Sequence, residues 1–268
     1  MTIEDILNKK KNNEKIVMLT AYDYPIAALA DLAGVDIVLV GDSLANVVLG
    51  LSSTKEVGMK EMLHHSKAVV RAVKNALVVG DMPFEAYQTN PKAAVDNAKQ
   101  FIDIGCHAVK LEWFEECPHT AEAIVKAGIP VMGHVGLTPQ TATEMKVQAK
   151  EAREAKEIIE SAQILQDKGC FSLVLECIPK EVSAKITEQL SIPTIGIGAG
   201  NSCSGQVLVS YDILGLFSRY QPKFSKKYVD LAPMIVEAFR RYKKDVQAGN
   251  FPDDAHSFRM PPSEIKKL

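Results

Sequence analysis

The stretch Leu77–Glu112, LVVGDMPFEAYQTNPKAAVDNAKQFIDIGCHAVKLE, decides the fold. It opens on an apolar run (Leu77–Val79) that ends in Asp81. An amphipathic stretch over Pro91–Ile104 follows, then Gly105, and a second apolar run, Ala108–Leu111, ends in Glu112. Runs that are continuously apolar, rather than alternating, suit parallel strands covered on both faces. The helical period between them makes the unit strand–helix–strand, and Gly105 fits the left-handed residue that closes a helix.

Outward from this unit the same pattern recurs. Further strands are expected at Ile16–Leu19, Ile37–Val40, Pro130–Met132, Leu173–Leu175 and Pro193–Ile197, with helices at Tyr24–Ala33, Lys60–Val73, Thr120–Lys126, Ala152–Lys168 and Lys180–Leu190. Gly34, Gly128 and Gly169 close helices as Gly105 does. A weaker eighth strand is expected near Gln206–Val209, and a long final helix at Leu231–Val246. Strict alternation implies a parallel sheet. Seven β-then-α units plus an eighth strand favour a closed (β/α)8 TIM barrel over an open doubly wound sheet. No Pro- or Ser-rich linker divides the chain, so residues 1–268 read as one domain. Residues 249–268 form an irregular tail expected to wrap the surface or a neighbouring subunit.

The 268 residues are 47% hydrophobic and 24% charged, enough to bury a sizeable core, and single barrels commonly have about 250 residues. A net charge of −2 offers no electrostatic basis for nucleic-acid or anionic-membrane partners. No apolar run approaches the roughly 18–20 residues of a membrane span, and the N-terminus has no apolar core of a signal peptide. The location expected is cytoplasmic. Five cysteines without a CxxC pair read as reduced, packed thiols.

The chemistry lies at the strand ends. The second run ends in Asp42, the third in Asp81, the fourth in Glu112 and the sixth in Glu176. In a barrel these ends share one mouth, where active sites sit. One acid after a strand is commonly a turn or helix cap. Four acids on one rim are harder to assign to capping, and Glu is a poor turn former. Clustered carboxylates repel each other unless something positive joins them. An oxygen-only ligand set of this kind, Asp42, Asp81, Glu112 and Glu176 together, suits a hard divalent cation, Mg2+ above all. Zinc fits worse, because His and Cys do not cluster at metal spacing. His64 and His65 are adjacent and diverge on a helix, so they read as surface or packing residues. His134, ending the fifth run, should point into the mouth in a supporting role. Lys110 shares a strand face with Glu112. It could neutralise the acids, hold an anionic substrate or form a Schiff base. Ser43 could offer a hydroxyl or backbone N–H to such a substrate. The loop GIGAGNSCSGQ (Gly196–Gln206) has two readings of equal weight, a phosphate site or a tight close-packed turn.

These residues lie within ten motifs in register: MLTAYDYP (Met18–Pro25), VGDSL (Val40–Leu44), DMPF (Asp81–Phe84), VKLE (Val109–Glu112), GHVGLTPQ (Gly133–Gln140), KVQ (Lys146–Gln148), VLECIP (Val174–Pro179), IPTIGIGAG (Ile192–Gly200), PKF (Pro222–Phe224) and HSF (His256–Phe258). Over residues 14–258 the chain resembles the ketopantoate hydroxymethyltransferase family, within the phosphoenolpyruvate-mutase/isocitrate-lyase barrel group. The resemblance implies Mg2+, transfer of a one-carbon unit from 5,10-methylenetetrahydrofolate to 3-methyl-2-oxobutanoate, and a homodecamer. It implies metal ligands at Asp42, Asp81 and Glu112, keto-acid contacts at Asp42, Ser43, Asp81 and Lys110, and a proton acceptor at Glu176. An alternative within the same group is a lyase or mutase acting on another 2-oxo acid. The KKCGH-type cysteine motif of isocitrate-lyase-like members is absent. Thr141–Met145 (TATEM) is shorter than the family's usual stretch and lacks its glycines, a change that bears on the second substrate.

Overall fold

Eight parallel strands close on themselves in chain order. They are β1 (Ile16–Thr20), β2 (Ile37–Val40), β3 (Leu77–Asp81), β4 (Ala108–Lys110), β5 (Val131–Gly136), β6 (Ser172–Glu176), β7 (Thr194–Ile197) and β8 (Gly205–Leu208). The computed structural model describes every residue except Thr143, Met145, Ser218, Tyr220 and Gln221. The expected TIM barrel is therefore present, and β8, the weakest strand in the sequence, closes it by pairing with β1 from Ile16↔Gly205 to Leu19↔Leu208.

Alternation along each strand sorts side chains into two layers. Ile16, Met18, Ile37, Leu39, Leu77, Val79, Ala108, Met132, Val174, Ile195 and Val207 fill the barrel interior. Val38, Val40, Val78, Val109, Leu173 and Leu175 face outward and are covered by helices. A first helix not foreseen in the sequence, α1 (Ile3–Lys11), starts in a Thr2–Asp5 capping box and adds Ile6 to the interior layer. The outer helices are α2 (Tyr24–Leu32), the short α3 (Leu44–Val47), α4 (Met59–Ala72), α5 (Pro91–Asp103), α6 (Cys117–Lys126), α7 (Ala152–Asp167) and α8 (Lys180–Gln189). Side-chain caps fix two of the starts: Asp23 accepts from the Ile26 amide at α2, and Asn90 from the Ala93 amide at α5, with Pro91 at that helix's first position. Gly34, Gly105, Gly128 and Gly169 close α2, α5, α6 and α7 with φ of +78°, +104°, +81° and +92°, as expected.

The alternation breaks after β7. Residues 198–204 return to β8 without a helix, so the seventh unit is not β-then-α. Close packing accounts for two glycines of the Gly-rich loop. Gly200 has φ +80° and a Cβ there would meet Lys180 Cβ at 2.5 Å; a Cβ on Gly205 would strike the Ile16 carbonyl oxygen. Beyond β8 come α9 (Ser210–Ile213), the long α10 (Leu231–Gln247) and α11 (Pro262–Ile265). Helix α10 has no buried residue. Ile235, Phe239, Tyr242 and Val246, spaced to form one stripe, are all exposed, Phe239 at 68%. The outward-facing Val17 of β1 is 49% exposed.

Candidate active site

The inward register that builds the core also builds the mouth. Following Leu77 and Val79, the next inward position on β3 is Asp81. Following Ala108 on β4 come Lys110 and Glu112, following Met132 on β5 comes His134, and following Val174 on β6 comes Glu176. Two residues further along each strand, the same face changes from apolar to ionisable. Pairing sets them side by side, with Asp81↔Lys110 and Gly136↔Glu176 in register. Asp42 lies just past β2, and its backbone N–H donates to Asp81 Oδ2 at 3.2 Å.

Asp42, Asp81, Lys110, Glu112 and His134 are all buried. Lys110 Nζ donates to both Asp81 oxygens, at 2.8 and 2.9 Å, and stands 3.8 Å from Glu112 Oε1. His134 bridges the acids, with Nδ1 3.4 Å from Glu112 Oε1 and Nε2 3.4 Å from Glu176 Oε2. Those separations allow charge attraction, but neither ring nitrogen makes an aligned hydrogen bond. Ser43 Oγ lies 2.9 Å from the Tyr22 hydroxyl. Five residues singled out in the sequence, Asp42, Asp81, Lys110, Glu112 and His134, thus meet in one buried cluster with Glu176 at its edge, while Ser43, next to Asp42 in the chain, turns its hydroxyl to Tyr22.

Burial, the Asp81 and Glu112 charges beside it, and little compensation from Lys110 push the Asp42 carboxyl well above the usual range. Burial likewise raises Asp81, although Lys110 opposes the shift. Burial would raise Glu112 too, but His134, Lys110 and the Gln140 amide together hold it below the ordinary carboxylate value. Burial works to lower His134, yet Glu112 and Glu176 lift it to about 9. For Lys110, burial disfavours the ammonium, but Asp81, Glu112 and Asp42 outweigh it and raise its pKa. A lysine held as ammonium is not the amine nucleophile a Schiff base requires, so the charge-neutralising and anion-holding readings remain.

The donor set fits a divalent cation. Burial and the neighbouring acids push the Asp42 and Asp81 carboxyls up, the mark of carboxylates with too little positive charge beside them even with Lys110 and His134 present, and the acids offer hard oxygens. Among the described residues no three Asp, Glu, His or Cys side chains form a ready-made three-ligand cage. Asp81 is turned into Lys110 instead.

Sequence reasoning missed two residues of the pocket. Both are buried: Gln140 is hydrogen bonded to the Asp42 and Glu112 carboxylates, and Tyr87 donates to Gln140 and accepts from the Glu112 backbone N–H. Gln140 lay in the GHVGLTPQ motif, but its role depends on a loop that folds back over the mouth. The other histidines are structural: His107 Nδ1 accepts from the Val78 amide at 2.9 Å, and His65 Nδ1 sits 2.6 Å from the Tyr22 carbonyl. A cleft of about 170 Å³ between Lys10, Lys15, Thr187 and Ser204 lies at the strand-start end, away from the acids. A second, of about 150 Å³, is lined by Leu137, Thr138, Ala142, Glu144, Lys146 and Gln148 together with Gly136, which pairs with Glu176 across β5 and β6. Thr143 and Met145 of the shortened stretch lie outside the described residues.

Fold and pocket define an acid-lined barrel. Phosphonopyruvate hydrolase, solved with oxalate and Mg2+, superposes with a TM-score of 0.63 at 13% identity, covering 100% of this chain and 94% of that one. A 2,3-dimethylmalate lyase of the phosphoenolpyruvate-mutase/isocitrate-lyase superfamily gives 0.61 at 15% identity, covering 99% and 93%. At such identities the likeness concerns the fold. The sequence profile of the ketopantoate hydroxymethyltransferases matches residues 1–254, and the chain belongs to that family. The 3-methyl-2-oxobutanoate hydroxymethyltransferase of Syntrophomonas wolfei subsp. wolfei is 51% identical over 272 residues, covering 100% of this chain and 99% of its own. That of Ignicoccus hospitalis is 53% identical over 259 residues, covering 96% and 98%.

Proposed function

We propose that this chain, acting as one barrel domain, transfers a hydroxymethyl group from 5,10-methylenetetrahydrofolate to C3 of 3-methyl-2-oxobutanoate, giving 2-dehydropantoate. The observation that carries the reading is the buried Lys110 set among Asp42, Asp81 and Glu112, with Glu176 across the mouth through His134. Asp42, Asp81 and Glu112 would hold Mg2+. Lewis-acid withdrawal of electrons from the 2-oxo group is the chemistry that Mg2+ supplies when bound.

The chain's own groups do the rest. The Lys110 ammonium and the Ser43 hydroxyl, itself oriented by Tyr22, bind the keto acid's carboxylate beside Asp42 and Asp81. Glu176 takes the C3 proton. His134 keeps Glu176 and Glu112 apart as charges while linking them in space. The C3 carbanion equivalent bonds to the folate's methylene carbon as one of that carbon's two C–N bonds breaks, and the released nitrogen takes the proton held by Glu176. Water then displaces the second nitrogen, its oxygen staying on the carbon as the hydroxyl and its proton going to that nitrogen, which frees tetrahydrofolate. The cleft lined by Gly136, which pairs with Glu176, supports approach of the second substrate from that side.

The test is deuterium exchange at C3 of 3-methyl-2-oxobutanoate with Mg2+, followed by product formation from methylenetetrahydrofolate or formaldehyde. Exchange should be rapid in the native enzyme and lost in Glu176→Gln. Exchange that is absent, or indifferent to Glu176→Gln, would sink the assignment of the base. Product from formaldehyde but never from the folate would trace to the shortened Thr141–Met145 stretch.

The reading extends to a cytoplasmic homo-oligomer, a decamer by family resemblance. Its support is the unpacked apolar stripe of α10, paired with a barrel wall that has no helix after β7 and leaves Val17 exposed. A second copy of the chain supplies both halves of that fit.

A further inference from the structure

We propose that Gln140 is a positioning residue that aims the Asp42 and Glu112 carboxylates at the cation and ties the β5–α7 connection to them. The inference rests on the metal reading above.

Gln140 comes from residues 137–151, a connection that belongs to neither acid's strand. Its side chain is buried, with 2% of the residue exposed. Nε2 donates to Asp42 Oδ2 at 3.0 Å and to the Met82 carbonyl at 3.1 Å. Its backbone N–H donates to Glu112 Oε2 at 2.9 Å. Its Oε1 accepts from the Tyr87 hydroxyl at 2.5 Å. Tyr87 Oη in turn accepts from the Glu112 amide at 3.1 Å, so its single proton is committed to Gln140.

Every polar atom of the carboxamide is therefore used, and its orientation is fixed. Turned over, Oε1 would face the Asp42 carboxylate and the Met82 carbonyl, two acceptors. One residue thus fixes one oxygen on each of two acids from different strands, leaving each acid's other oxygen for the cation. Among the described residues, Gln140 is the hydrogen-bond donor to the Asp42 side chain. A role in stability alone would not need contacts to both acids. Partners that orient metal ligands typically contribute 10–100-fold in metal affinity.

Calorimetric titration of the full chain with Mg2+ tests this, using Gln140→Met, Gln140→Glu, Tyr87→Phe and the double variant Gln140→Met/Tyr87→Phe. Gln140→Met should bind Mg2+ roughly 10–100-fold more weakly. Gln140→Glu keeps the size and the backbone bond but turns an acceptor toward Asp42, so it should be at least as weak. Tyr87→Phe should lose less, and the double variant should lose no more than Gln140→Met, because both act through one amide. Asp42→Asn separates the two readings. If it abolishes binding while Gln140→Met and Tyr87→Phe bind like the native chain, the positioning role is overturned and the metal reading stands. If Asp42→Asn binds Mg2+ like the native chain, the metal reading fails first. Should Gln140→Met not fold, Tyr87→Phe decides alone, and unchanged affinity there overturns the proposal.

Discussion

β3 reaches β4, and β7 reaches β8, by unlike means. Residues 82–107 carry α5, whose Phe101 lies so close over Gly80 that a Cβ there would strike its ring. That wall is sealed, and its inner tips carry Asp81 and Lys110 in direct ion pairing. Residues 198–204 carry no helix, the outer face beside them shows Val17 and Gln206 to solvent, and the chain's last long helix stands unpacked. The difference teaches where each kind of work can be done. A sealed wall excludes water, so charges behind it shift each other strongly and can be held in fixed geometry. An unsealed wall keeps apolar surface available for another chain.

Four variants would break or sharpen that contrast. The largest effect belongs to Glu176→Gln: C3 exchange should fall roughly 10²–10⁴-fold, the usual scale of a lost general base, with Mg2+ affinity and sedimentation unchanged. Lys110→Met should lower stability by about 3–5 kcal/mol near neutral pH, because Asp81 is left buried and unpaired. Urea unfolding would measure the loss, which should shrink in acid as Asp81 is protonated. On the open side, Phe239→Ser with Tyr242→Ser should dissociate the oligomer in sedimentation velocity and leave the Mg2+ affinity of each subunit intact. A native oligomer in that variant would show that the contrast between walls has no bearing on assembly.

The smallest effect concerns the pH dependence of the metal-free protein. Asp42's folded pKa is raised by burial and by Asp81 and Glu112. Its stabilising contribution is thus complete below the unfolded value of about 4 and is lost as pH rises through the folded value. Asp42→Asn, which mimics the protonated form, should flatten that decline and raise Tm by a few degrees above the acid range, while Mg2+ binding disappears. In the native chain Mg2+ affinity should rise with pH over the same interval, with proton release visible in calorimetry in buffers of different ionisation enthalpy.

Asp81, Lys110, Glu112 and Glu176 were legible in the sequence because a strand's two-residue period carries the apolar inward face directly into the mouth. Asp42 was legible through its place after VLVG. Gln140 and Tyr87 were not, since they reach the acids from connections whose paths no local period encodes. The close packing of the loop after β7 was hidden for a related reason: the contacts that need glycine, Gly200 against Lys180 and Gly205 against Ile16, join segments far apart in the chain. What the sequence determined alone is the alternation of strand and helix, hence the closed barrel and the rim of acids, because both follow from short-range periodicity. What only the tertiary structure decided is which acid pairs with Lys110, which amide orients Asp42, and which wall stays bare, because those depend on packing between segments far apart in the chain.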